Sequence, residues 1–325
     1  MKKRIALVTG GYSGERDISL KSGKEVYRHL DRSIYEVFWI QIEEENWYYL
    51  SDAGKRHPVD RKDFTIHLGD RKLSFDCAFI VIHGTPGEDG KLQGYFDLLN
   101  LPYTSCNRTT SSVTFNKFFT NRIARALGVR TADALFFTAL EEIDHREILK
   151  TLGLPCFVKP NNGGSSVGIS RVDVPEDLHG AILKAFGEDR EIVIEKFIPG
   201  FELTCGILRS RGQLIVLPLT KIISRKAFFD YEAKYTDGMA EEITPAPVDD
   251  ELRSDCQELS GFLYHQLNCR GIVRFDYIVN GRDLYFLEVN TIPGFTQNSI
   301  VPKMATVMGL SLTRLYTMAI EEVLR

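Results

Sequence analysis

The sequence predicts an α/β protein of two or three packed units. Its first third alternates short apolar runs with amphipathic helical stretches, the pattern of βαβ units and a parallel sheet. Its middle third repeats the alternation on a smaller scale, as a compact α+β layer. Its 325 residues also exceed what one hydrophobic core commonly organises, at about 150 residues per domain. With 43% hydrophobic and 26% charged residues, the composition is that of a globular chain and argues against a disordered or fibrous one.

In chain order, Arg4–Val8 reads as a strand, Ile18–Leu30 as a helix, Tyr35–Ile40 and Cys77–Ile82 as strands, and Leu92–Leu99 as a helix. A helix over Thr109–Leu127 with Gly128 as its stop opens the middle unit. Strand from Ala134, helix Glu141–Leu152, strand Cys156–Lys159, a glycine-serine loop, strand Gly168–Val172, helix Asp177–Phe186 and strand Ile192–Lys196 follow. Strands near Glu202–Leu208 and Gln213–Leu219 lead into a polar-aromatic stretch from Ile222 to Glu242 without a sustained period, which is read as a functional loop or lid. Helix Asp249–Leu267, a hairpin within Ile272–Val289 and two helices close the chain. The expected units are 1–105, 106–196 and 197–325.

A net charge of -4 lacks the basic footprint of a protein that binds nucleic acid through phosphates. The six cysteines include no CxxC pair, so neither a redox motif nor a zinc ribbon is expected, and a reducing cytoplasm fits them. Met1-Lys2-Lys3-Arg4 mimics the start of a signal peptide, but the apolar run after it ends at Val8. Neither secretion nor a membrane span is expected.

Several local patterns are decoys. Gly164-Ser165-Ser166-Val167-Gly168 fits the GxSxG nucleophile elbow, yet that elbow needs a following helix and the β-branched residues here predict a strand. Gly10-Gly11-Tyr12-Ser13-Gly14 lacks the spacing of a dinucleotide loop. No Gly-Lys pair is followed by Ser or Thr, so a P-loop is absent.

The chemistry concentrates in two places. Asp276, Glu288 and Asn290 lie on adjacent predicted strands, a hard oxygen donor set suited to Mg²⁺ when phosphate oxygens complete the shell. An Asp and a Glu on a hairpin are commonly a solvated face, but both strands here are apolar, and carboxylates on buried strands need partners. Asp276 and Glu288 face one side only with an odd loop or a bulge, because a two-residue Asn280-Gly281 turn would put them on opposite faces. The second place is Asn161-Asn162-Gly163-Gly164-Ser165-Ser166 after Lys159, whose backbone N–H groups and ammonium suit phosphates.

These motifs resemble those of the D-alanine:D-alanine ligases, a family of ATP-grasp enzymes. The resemblance rests on Gly10–Arg16, His83–Gly94, Lys159-Pro160 with Gly164–Gly168, Tyr231–Tyr235 and Glu288–Gly294, in family order over nearly the whole chain. It implies an ATP-grasp fold: an N-terminal parallel-sheet, Rossmann-like pre-ATP-grasp domain, a small central α+β domain and a C-terminal α+β domain. It also implies formation of D-alanyl-D-alanine for peptidoglycan precursors, through an acyl phosphate and a tetrahedral intermediate. ATP and two Mg²⁺ would be required, with Mn²⁺ able to substitute, and the protein would be a cytoplasmic homodimer.

By the same resemblance, Lys117, Lys159 and Lys234 hold ATP phosphates with Ser166 in their loop. Glu195, Lys196 and Ile198 meet adenine, Glu202 takes the ribose, and Asp276, Glu288 and Asn290 bind the metals. Glu15 binds the first D-alanine's ammonium, and Glu15, Ser165 and Tyr235 form a hydrogen-bonded triad. Arg274 and the Gly294 N–H stabilise the oxyanion, Ser299 and Ile300 hold the second carboxylate, and His83 lies near the first substrate or caps its turn. Departures from the family pattern are Asn161, Asn162 and Gly163 where relatives can carry charge, Phe295 where Met is common, and Ile292 for a small polar residue of some relatives. A D-alanine:D-lactate ligase is the nearest alternative, distinguished by Tyr235. A non-catalytic nucleotide sensor on the same fold would be expected to lose Arg274 or a metal carboxylate.

Overall fold

A computed structural model describes residues 2–224 and 240–324. Lys234 and Tyr235, and with them most of the expected lid, lie outside the described residues.

The first sheet has seven strands in the order β6-β5-β4-β3-β2-β1-β7. β1 (Lys3–Gly10) pairs in parallel with β2 (Tyr35–Ile42) and with β7 (Cys77–Ile80). α1 (Arg16–His29) makes the crossover from β1 to β2. Ile5 to Val8 are fully buried in the centre of the sheet, as continuous apolar strands of parallel sheets are. The parallel expectation stops at β2. From there β3 (Trp47–Leu50), β4 (Arg56–Asp60), β5 (Thr65–Leu68) and β6 (Arg71–Leu73) add an antiparallel meander. They are short, and β4 and β6 carry charged, exposed residues, as suits an unburied sheet edge.

α2 (Lys91–Leu98) leads to a helical pair in place of the single helix expected over Thr109–Leu127. α3 (Arg108–Phe115) ends at Asn116, whose extended backbone and side-chain oxygen, accepting from the Phe119 N–H at 2.9 Å, start α4 (Lys117–Ala126). An N-cap residue thus breaks what periodicity alone joins.

The second sheet is antiparallel, in the order β10-β9-β11-β8: Ser170–Val172, Cys156–Pro160, Ile192–Lys196 and Ala134–Phe137. α5 (His145–Leu152) and α6 (Leu178–Glu188) share a core with it. Asp144 caps α5 by accepting from the Arg146 N–H, so that helix starts later than expected and residues 140–142 form a separate 3₁₀ turn. A strand, not a helix, follows the GxSxG segment.

The third sheet runs β15-β14-β12-β16-β17, with β13 (Gln213–Val216) also on β12 (Phe201–Ser210). β14 (Thr220–Ser224) and β15 (Ala240–Ile243) pair with each other, so the ends of the expected irregular stretch are strands. α7 (Asp250–Gln266) precedes β16 (Ile272–Asn280) and β17 (Asp283–Asn290), and α8 (Ile300–Val307) and α9 (Leu312–Val323) close the chain.

α9 returns to the first sheet, where Tyr316 packs edge-on against Phe79 and Phe295 with centroids 5.7 Å away in each case. Phe295, 3% exposed, is therefore an anchor holding the segment after β17 to the first sheet; burying such a ring contributes about 1.5–3 kcal/mol. All six cysteines are free and buried. Among the described residues, no helix is long and apolar enough to cross a membrane.

Candidate active site

The second and third sheets face each other across a cavity of about 440 Å³. β9 and β11 contribute Phe157, Lys159, Glu195 and Lys196 to its lining, and the opposite wall carries Phe201, Glu202, Ile278, Phe286, Leu287 and Glu288. Lys117, Ser166 and Ile198 line it as well, so every nucleotide candidate named from sequence, apart from Lys234 outside the described residues, meets at this one cavity. Its apolar walls suit a flat aromatic base, and its lysines suit phosphates. Phe157, Phe201, Phe286 and Leu287 were not legible as site residues, since alternating apolar strand residues look the same whether they line a core or a pocket.

Two buried or half-buried cations stand over the cavity. Lys159 Nζ pairs with Glu195 Oε2 at 2.5 Å, both side chains being 10% exposed or less. Lys117, in the first turn of α4, donates from Nζ to the Gly163 carbonyl at 2.7 Å. Its backbone is set by Asn161, fully buried, whose carbonyl accepts from the Lys117 N–H at 3.0 Å and whose Oδ1 accepts from the Phe118 N–H at 2.9 Å. Asn161 Nδ2 in turn donates to Glu191 at 2.6 Å. The departures at Asn161 and Asn162 thus tie the base of the loop to two carboxylates, Asn162 donating to Asp189 Oδ2 from its backbone N–H at 2.6 Å and from Nδ2 at 3.0 Å. At the loop's tip, Ser165 and Ser166 both hold positive φ, at 50° and 58°, an uncommon conformation for residues with a Cβ. Ser165 Oγ donates to Glu15 Oε1, bringing the first and second sheets together.

At the end of the cavity the hairpin β16–β17 turns through Gly281 and Arg282, pairing Asn280 with Asp283. That two-residue turn, continued regularly, would put Asp276 and Glu288 on opposite faces. The register shifts between Asp276 and Tyr277, so that Tyr277 pairs with Phe286, Asp276 pairs with Glu288, and Leu287 is the extra residue. The expected bulge is present, and it delivers both Leu287 and Glu288 to the cavity.

Asp276, 1% exposed, receives the Arg274 guanidinium on both oxygens, at 2.8 and 2.7 Å, with Thr204 Oγ1 donating at 2.5 Å. Burial works against the charge on Arg274, but Asp276, Glu288 and Glu202 together hold its pKa above the ordinary value. Asn290 Nδ2 donates to Asp276 Oδ2 at 2.9 Å and reaches Glu288 Oε1 at 3.5 Å. Turning that amide over would present its oxygen beside the two carboxylates, making a hard donor set that fits Mg²⁺. Among the described residues no three His, Cys, Asp or Glu gather as a metal centre, so such a shell would need oxygens from the ligand.

The segment after β17 carries Gly294, where a Cβ would come within 2.7 Å of Ser299 Oγ. Ser299 occupies the N-cap position of α8 without a side-chain bond to the helix, accepts from the Thr296 N–H at 3.0 Å and adjoins Ile300, the first helical residue. A helix N-terminus suits a carboxylate. His83 lies behind this segment rather than open to a ligand: its Nδ1 is 3.0 Å from the Ile292 carbonyl and its Nε2 3.2 Å from Ser22 Oγ. Burial lowers its pKa, against the pull of Glu15, so the ring is neutral near pH 7. Glu88, not singled out from sequence, accepts from the Gly84 and Ile292 N–H groups at 2.8 and 3.2 Å. Desolvation, then Glu15 and Glu288, raise its pKa to about 8.

A three-sheet α/β chain whose second and third sheets close on such a cavity, ending in a carboxylate hairpin, defines a ligase of the ATP-grasp class. The chain belongs to the D-alanine–D-alanine ligase family: residues 4–106 match the model of the D-ala D-ala ligase N-terminus and residues 123–321 that of the C-terminus. It is 45% identical over 319 residues to the D-alanine–D-alanine ligase of Flavobacterium johnsoniae, covering 98% of both chains. To that of Bacteroides fragilis it is 41% identical, with 99% of each covered. Among solved structures it is similar to the VanG D-Ala:D-Ser ligase of Enterococcus faecalis (TM-score 0.89, 32% identity, all of both chains). It is also similar to a D-alanine–D-alanine ligase of Bacillus anthracis complexed with ATP (TM-score 0.77, 29% identity, 99% of this chain and 96% of that one).

Proposed function

We propose that this protein joins two D-alanines into D-alanyl-D-alanine for peptidoglycan precursor synthesis, consuming ATP by way of an acyl phosphate and a tetrahedral intermediate. The observation that carries the reading is the meeting of the nucleotide candidates and Glu288 at one cavity, with Arg274, Asp276 and Asn290 around the same carboxylate cluster.

In this reading Lys117 and Lys159 hold phosphates, joined by Lys234 from the lid. Asp276, Glu288 and Asn290 hold two Mg²⁺, or Mn²⁺ in their place. When bound, these ions neutralise charge on the transferring phosphoryl oxygens. Glu15 orients the first D-alanine by its ammonium and, through Ser165 and Tyr235, closes the loop over it. Arg274 and the Gly294 N–H stabilise the tetrahedral oxyanion. Ser299 and the N-terminus of α8 hold the second carboxylate. We further propose the three-unit division at 105/106 and 196/197, a homodimer and a cytoplasmic location, which the free buried cysteines suit.

The test is phosphate release dependent on ATP and Mg²⁺. Release with D-alanine and much less with L-alanine is expected, and D-lactate added to D-alanine is expected to leave D-alanyl-D-alanine as the main product. No release with D-alanine, or equal release with L-alanine, refutes the reading.

A further inference from the structure

Building on that reading, we infer that Glu88 and Ser22, working with His83, are positioning residues that clamp the peptide segment 292–295 and so set where the Gly294 N–H points. The geometry is a closed circuit. A carbonyl can only accept, so His83 Nδ1 carries the proton donated to the Ile292 oxygen at 3.0 Å. That leaves Nε2 as the acceptor of the Ser22 hydroxyl at 3.2 Å. Ser22 Oγ in turn accepts the Phe295 N–H at 3.3 Å. The ring and hydroxyl therefore bridge the two ends of the segment, with Gly294 between them.

Glu88 completes the hold by accepting the Ile292 N–H, while its other oxygen accepts the Gly84 N–H next to His83. Both backbone groups of Ile292 are thus fixed from the first sheet's side of the cleft. Ser22 is fully buried and His83 nearly so, and the Phe295 ring is locked between Phe79 and Tyr316. A Gly294 without a Cβ has little means of its own to hold one orientation. An oxyanion donor stabilises a transition state only when it is held in place before the reaction.

Kinetics of Glu88→Ala and Ser22→Ala decide the matter. Each is expected to lower kcat by about 10-fold to 100-fold, the cost of displacing a reacting group by about 1 Å, while KM for ATP stays within about twofold. Affinity for a phosphinate dipeptide, a stable tetrahedral analogue, is expected to fall by the same factor as kcat/KM, which a purely structural role would not produce. Glu88→Gln keeps one acceptor oxygen and is expected to recover part of the loss. Should Glu88→Ala fail to fold, Ser22→Ala and Glu88→Gln carry the test. Unchanged kcat in folded Ser22→Ala and Glu88→Gln, or a loss of ATP affinity matching the loss of kcat, overturns the clamp. Inactivity of the wild type with D-alanine would instead overturn the reading beneath it.

Discussion

The Lys159–Glu195 pair separates what holds the fold from what binds the nucleotide. At 2.5 Å, with both side chains 10% exposed or less, the attraction is about 7 kcal/mol at an effective dielectric of about 20. Desolvation of both ions offsets most of it, so the pair as a whole contributes little net stability. Lys159→Met, however, leaves Glu195 buried without a counter-charge and is expected to destabilise the protein by about 3–5 kcal/mol. Lys159→Met/Glu195→Leu removes both charges at similar volume and is expected to return stability to within about 1.5 kcal/mol of wild type. Urea unfolding measures this arm, and calorimetric ATP titration the other. If Lys159 meets phosphate and Glu195 the adenine, ATP affinity falls in the single variant and at least as far in the double, although only the single is destabilised. A double variant as unstable as the single would refute the uncompensated-charge argument, and a double variant that binds ATP like wild type would refute the phosphate role.

Glu288→Gln, at a partly exposed position, is expected to stay folded and lose nearly all ligase activity; Arg274→Ala is expected to lose activity as fully but also to destabilise the fold by about 3–5 kcal/mol, because it leaves Asp276 buried without its counter-charge; wild-type turnover with unchanged Mg²⁺ dependence in either would remove its assigned role. Gly294→Ala places a methyl 2.7 Å from Ser299 Oγ and is expected to lower kcat at least about 10-fold, measured beside the thermal midpoint to show that the fold persists. Tyr235→Phe is expected to raise use of D-lactate relative to D-alanine near neutral pH, read from product ratios; an unchanged ratio would leave the ring as packing. Because Glu88 titrates at about 8 in the fold against 4.5 ordinarily, the folded chain keeps a proton that the unfolded one loses. Its contribution to stability therefore falls as pH rises through that window, and Glu88→Gln is expected to flatten this part of the slope in urea midpoints of ligand-free protein.

Periodicity located the longer elements that are buried on one or both faces, and it failed where an element is exposed or very short. Strands β4 and β6 left no signal because Arg56–Asp60 and Arg71–Leu73 are charged and largely exposed, and β3 and β5 because four residues each are too few to show a period, although Tyr48 and Ile66 are buried. The split at Asn116 was missed for a different reason: the apolar period runs through it, and only the side-chain bond to the Phe119 N–H marks a new start. Ser22 and Glu88 left no signal as a pair, since their association depends on a segment 273 and 204 residues further along the chain, respectively.

The carboxylate hairpin shows how far strand arithmetic reaches. A two-residue turn and two cooperating carboxylates are incompatible in a regular ladder, so one irregularity had to exist between Asp276 and Glu288. Parity could demand it but could not place it. Its position follows from what each face must contain: Tyr277 is buried against α7, its hydroxyl 2.8 Å from Ser260 Oγ, and Phe286 opposite it belongs to the same core. Those two fix the register on the turn side, while Asp276, held by Thr204 and Arg274, fixes it on the other. The mismatch can then fall only at Leu287, whose side chain goes to the cavity wall beside Glu288. One inserted residue thus reconciles a packed core, a short turn and a pair of facing carboxylates, and a deletion of Leu287 would be expected to remove the bulge and its cavity-wall side chain while leaving Glu288 opposite Asp276 on the same face, because Glu288 would then follow Phe286 directly in a regular ladder.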